Sequence, residues 1–126
     1  MRILVVEPGK KPEVREINGS LESLQKIVGG TIQAIYPWED SVALVCNDEG
    51  KLLGLPLNRA LIDEVSGQIW DVVAGTFFLC GLPAGSDSFG SLTDEQIQKY
   101  QTLFACPEMI FQLNGQLVVL REEVIH

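Results

Sequence analysis

Histidine is nearly missing from this chain: one residue in 126, His126, at the last position. An imidazole at a fraying terminus holds no fixed geometry, so Ser-His-Asp and Cys-His mechanisms and histidine metal sites have nothing to be built on. Cysteine is scarce too. Cys46, Cys80 and Cys106 are three in number, lack C-x-x-C spacing and sit in apolar surroundings. They read as reduced thiols packed in a core within a reducing compartment, and not as disulfides, metal ligands or activated nucleophiles. Positive charge is in short supply. Nine Lys and Arg oppose seventeen Asp and Glu, a net charge of −8 and a pI near 4.5. Only four of the bases lie beyond residue 28. A nucleic-acid binder needs cations to displace phosphate counterions, and anionic membrane surfaces repel such a chain, so direct contact with either is not expected.

Apolar runs are short. None approaches the roughly 18 residues of a membrane span, and Met1 to Pro8 is too brief for a signal peptide, so a cytoplasmic location is expected. Phosphate-cradling loops are missing as well. There is no G-x-x-x-x-G-K-[ST] and no G-x-G-x-x-G opening a helix, and Gly29-Gly30 follow a helical stripe instead of preceding one. The acidic pairs Glu39-Asp40, Asp48-Glu49, Asp63-Glu64 and Glu122-Glu123 lack EF-hand spacing and read as solvated loop tips. No cofactor and no metal are expected.

What is present suits a globular domain. Hydrophobic residues make up 46% and charged residues 21%, both near the average for folded chains, and 126 residues fit one domain spanning 1–126. Ile3 to Val6 and Glu13 to Ile17 flank Pro8-Gly9 as an N-terminal hairpin. Leu21, Leu24, Ile27 and Val28 form a helical stripe with Ser20 as N-cap and Gly29-Gly30 as stop. Thr31 to Tyr36 and Ser41 to Cys46 read as strands. Asp48 to Lys51 reads as a second hairpin turn, with Gly50 supplying positive φ. Leu52 to Leu57 contains Gly54 and Pro56 and is an edge strand or an ordered loop. Asn58 is expected to cap a short helical turn from Arg59 to Glu64. Ile69 to Leu82 is apolar on both faces, as in a central strand, with Gly75 marking a bulge or a close backbone contact. After a Gly/Ser/Asp loop, Thr93-Asp94-Glu95-Gln96 is a capping box opening a helix that Pro107 terminates. Asn114-Gly115 between Met109–Leu113 and Gln116–Leu120 is the clearest hairpin signal. Hairpins with two amphipathic helices give an α+β domain with a mainly antiparallel sheet.

The polar residues that draw attention are Asn47, Asp48, Asn58, Arg59 and Asp71, with Trp38 nearby. Arg59 suits a bidentate pair with Asp71, or with an anion on a ligand. The plainer reading is that Asn58 caps, Arg59 pairs with an acid and Asn47-Asp48 shape a turn. Trp38 is either an exposed anchor for a partner or a lid over the core.

Four segments, Leu24-Gln25-Lys26-Ile27-Val28-Gly29-Gly30, Asn47-Asp48-Glu49-Gly50-Lys51, Gly54-Leu55-Pro56-Leu57-Asn58-Arg59 and Asp71-Val72-Val73-Ala74-Gly75-Thr76, together resemble the domain-of-unknown-function family numbered 3846. The resemblance covers residues 1–82 and leaves 83–126 as a loop, helix and hairpin extension. It implies a cytoplasmic accessory protein of bacteria, their phages and mobile elements, and it transfers no activity or functional residue. Three functions fit. The first is a non-catalytic binding or accessory protein that contacts another protein through the residues above, or self-associates. The second is a protein or enzyme that grips a small anionic ligand with Arg59 and Asp71. The third is an acidic anti-defence protein that imitates DNA.

Overall fold

The computed structural model describes residues 1–122. In chain order these form β1 (Arg2–Val6), β2 (Glu13–Glu16), α1 (Leu21–Val28), β3 (Ile32–Ile35), β4 (Val42–Asn47), β5 (Leu57–Ile62), β6 (Ile69–Ala74), β7 (Phe77–Gly81), α2 (Asp94–Leu103), β8 (Glu108–Leu113) and β9 (Gln116–Arg121). This is the α+β architecture expected. Among the described residues five strands pair in the order β2-β1-β7-β4-β3, and β5-β6 and β8-β9 form separate two-stranded ribbons. Every pairing is antiparallel.

The five-stranded sheet is covered on both sides, which is why β1, β4 and β7 read as unbroken apolar runs. Alternation still divides their side chains. Ile3, Val5, Ala43, Val45, Phe78 and Cys80 face α1 through Leu24 and Val28. Leu4, Val6, Val42, Leu44, Phe77 and Leu79 face the other way, against Ile97, Tyr100 and Phe104 beside α2 and Leu61 and Val73 of the β5-β6 ribbon. The helix signals hold. The Ser20 hydroxyl accepts from the Ser23 amide, and Gly29 closes α1 in the left-handed conformation. Thr93 and Gln96 form the reciprocal capping box of α2. Asn114 and Gly115 take φ of 52° and 77° in the turn between β8 and β9, the pair of positive angles a type I′ turn demands.

Three expectations fail, each for a local reason. Ile69 to Leu82 is not one strand. Gly75, at φ 82°, turns the chain out of the β5-β6 ribbon and into the central sheet two residues later. Residues 48–51 do not make a hairpin, because β4 and β5 belong to different sheets. Gly50 there does not take positive φ. It is needed for space instead, since a Cβ would lie 2.7 Å from the Ala74 carbonyl oxygen. Asn58 to Glu64 is not a helical turn: Asn58 to Ile62 belong to β5, where the register jumps between Leu57 and Arg59. That bulge overrides normal alternation, so Asn58 and Arg59, adjacent in sequence, both turn inward. His126 and Glu123 lie outside the described residues. Among the described residues no helix is long and apolar enough to cross a membrane.

Candidate functional site

Where β4 runs out beside β6, the chain leaves a shallow depression. Ile35, Cys46 and Val73 line its apolar part, and Asp48, Glu49, Lys51 and Asp71 stand at its polar part. Asn47 sets the geometry. It is buried, its Nδ2 donates to the Val28 carbonyl at 3.1 Å and its Oδ1 accepts from the Glu49 amide at 2.8 Å. One carboxamide thus ties the end of α1 to the 47–51 turn. Asp71 is half-buried and accepts from the Lys51 ammonium at 2.6 Å. Asp48 and Glu49 are exposed and have no ion-pair partner among the described residues. The depression encloses about 140 Å³, below the roughly 300–1,000 Å³ of pockets that engulf a small ligand. It suits a contact with a protruding side chain.

Asn58 and Arg59 lie elsewhere. Both are 0% exposed. The Asn58 Nδ2 donates to the carbonyls of Val6 and Gly75, each at 2.9 Å, and its Oδ1 accepts from Arg59 at 2.9 Å. Arg59 donates onward to the Lys10 carbonyl at 2.7 Å and the Phe104 carbonyl at 3.0 Å. The two side chains therefore stitch the end of β1, the Gly75 corner, the loop after β1 and the end of α2 onto β5. Burial pulls the Arg59 pKa below its ordinary value, the Glu108 carboxylate opposes that pull, and Arg59 Nε has no hydrogen-bond partner among the described residues. The expected pairing of Arg59 with Asp71 is not found. Its partners are carbonyl oxygens, and Asp71 is engaged by Lys51. Nor does Asn58 cap a helix.

Trp38 is half-buried, its ring 4.6 Å from Tyr100 and 6.0 Å from Phe104, so it acts as a lid on the α2 side of the core. Beneath it sits a polar cluster the sequence did not announce. Asp40 accepts from the Tyr100 hydroxyl at 2.8 Å and from Gln96 Nε2 at 3.1 Å. Burial alone would raise the Asp40 pKa. The bonds from Tyr100, Gln96 and the Ser41 amide outweigh it and hold the carboxyl below its usual value. Burial, reinforced by Asp40, pushes the Tyr100 phenol upward. Glu108 was likewise unforeseen. Its side chain is 5% exposed, and it accepts from the Ala60 amide at 2.7 Å and from Arg121 at 3.2 Å, docking β8 on β5.

Candidate nucleophiles are poorly placed. Burial pushes the Cys80 thiol up to about 12 and the Cys46 thiol upward as well, which suppresses the reactive thiolate. Among the described residues no three of His, Cys, Asp and Glu gather as a metal site. Carboxylates stand on both sides of the sheet, Glu22 on α1 and Asp94 and Glu95 on α2.

The four sequence motifs meet in space. A Cβ on Gly30 would lie 2.9 Å from Asn47 Nδ2, one on Gly50 2.7 Å from the Ala74 carbonyl, and one on Gly75 2.7 Å from Leu55 Cδ1, while Asn58 holds the Gly75 carbonyl. Gly30 thus abuts Asn47, Gly50 abuts Ala74, and Gly75 abuts Leu55 and Asn58; of these, Asn47, Gly50 and Ala74 line the β4-β6 depression. The model of a family described as Domain of unknown function (DUF3846) matches residues 1–105. The chain belongs to this family. The DUF3846 match runs past the motif-bearing residues 1–82 and takes in the loop and α2, leaving the β8-β9 hairpin outside it. No curated protein and no solved structure matches significantly.

Proposed function

We propose that this DUF3846 chain is a non-catalytic binding or accessory protein of bacteria or their mobile elements, working in the cytoplasm. Its contact face is the β4-β6 depression, and its partner is another protein that offers a basic side chain. The observation that carries this reading is the state of Asp48 and Glu49. Their turn is fixed from below by buried Asn47, yet both carboxylates stand exposed without an ion-pair partner among the described residues. The neighbouring Asn47 and Asp71, and the distant Asn58 and Arg59, are spent on bonds within the fold. A preorganised, unpaired charge on a rigid turn costs little ordering on contact, and complementary charge favours encounter with a basic partner. An anion clamp built on Arg59 and Asp71 is not supported, because Arg59 is sealed and Asp71 is neutralised by Lys51.

The test is affinity capture from the native host with the wild-type chain and with a D48K/E49K variant. Circular dichroism should show the variant folded, since neither side chain is buried. A partner held by wild type and lost by the variant is expected. Equal recovery by both chains, or no specific partner for either, would refute this contact face.

A further inference from the structure

The β8-β9 hairpin lies outside the family match and exposes an apolar face. Its register pairs Met109 with Leu120, Phe111 with Val118 and Leu113 with Gln116. These residues share one face, because side chains alternate along each strand and paired residues point the same way. Met109 is 65% exposed, Leu113 56%, Leu120 53% and Phe111 37%. The opposite face carries Glu108, which docks the ribbon on β5 through the Ala60 amide. One side of the ribbon is therefore anchored and the other faces solvent. A two-stranded ribbon with an uncovered apolar face is marginal by itself.

We propose that this face is a homodimer interface, in which the hairpins of two copies pack face to face about a two-fold axis. Charge argues for this occupant. The only charged residues in the two strands are Glu108 and Arg121, and they pair with each other across the base of the ribbon at 3.2 Å. Between them nothing selects a basic or an acidic partner. On a chain of net charge −8, an uncharged face is where two copies approach with least repulsion. Symmetry allows it, since a two-fold axis brings the same patch of each copy together. Area fits too. The exposed side chains offer roughly 420 Å² per copy, taking about 200 Å² for each full side chain. Two copies bury roughly 840 Å² from these side chains alone, in the size range of weak, transient interfaces, so the dimer is a weak and reversible one. This proposal does not depend on the acidic contact face, which is on other elements.

Sedimentation velocity on the full chain from about 1 to 100 µM tests it. A concentration-dependent monomer–dimer equilibrium is expected. M109E and L113E place a charge in the apolar contact at opposite ends of the ribbon and should weaken the dimer at least about 100-fold. V65E, at a site 98% exposed on another loop, should leave it unchanged. Thermal melts of the monomeric variants separate a lost interface from a lost fold. A wild-type chain that stays monomeric at 100 µM, open-ended assembly, or a dimer indifferent to both M109E and L113E would overturn the proposal.

Discussion

Replacing Arg59 is the sharpest test of how this fold is held. In R59A the acceptors at Lys10, Phe104 and Asn58 Oδ1 lose their donor, and Ala cannot fill the space. Three carbonyl oxygens lost to an ionised donor cost about 1 kcal/mol each net, and an unfilled cavity adds about 2 kcal/mol. Against this stands relief of the desolvated guanidinium, whose depressed pKa and unpartnered Nε mark a real burial cost, about 1–2 kcal/mol. The balance is a loss of roughly 3–4 kcal/mol, most of the stability of many domains this size. R59M keeps the volume and discards the charge, so it should lose only about 1–2 kcal/mol. Urea titration followed by circular dichroism checks the order wild type, R59M, R59A. With a slope near 1.5 kcal/mol/M, the R59A midpoint should fall by about 2 M. Two results would refute the reasoning: an R59A midpoint within about 0.5 M of wild type, or R59M as damaging as R59A.

Asp40 gives the pH dependence. Its folded pKa lies below the ordinary carboxyl value of 3.8, so its contribution is fully present above that value and fades as pH falls through the folded pKa. D40N should therefore flatten the acid limb of a stability–pH curve below about pH 4, and an unchanged limb would contradict the Tyr100–Asp40 bond. Thiol titration reads the core directly. Cys80 at 0% and Cys46 at 8% exposure should resist a maleimide while half-buried Cys106 reacts, so mass spectrometry should find one label natively and three in denaturant.

Local structure was legible wherever one residue type has one backbone use. Ser20, Thr93 with Gln96, Gly29 and Asn114-Gly115 announced their caps and turns because each satisfies an amide or a positive φ that few other residues can. The layering of the sheet was hidden, since an apolar run buried on both faces looks alike in a strand that continues and in one that turns at Gly75. The burial of Asn58 and Arg59 was hidden for a related reason. Asn58 and Arg59 look like surface chemistry in sequence, and a bulge, which no residue pattern here encodes, faces both inward. That residues 47–51 form a turn was legible because its hydrogen bonds are local. The Asp40–Tyr100 contact joins residues sixty positions apart and has no local signature. The apolar hairpin face had one, the absence of charge from Met109 to Leu120.

The strand order has a consequence for synthesis. The middle position of the large sheet belongs to β7, so β1 and β4 each wait for residues 77–81 before gaining their inner neighbour. At ribosomal speeds of roughly 5–20 residues per second, that leaves the first strand without its central partner for several seconds. During that interval the nascent chain displays bare, strongly apolar strand edges. Its yield in the cell should depend on what shields them until the keystone strand emerges.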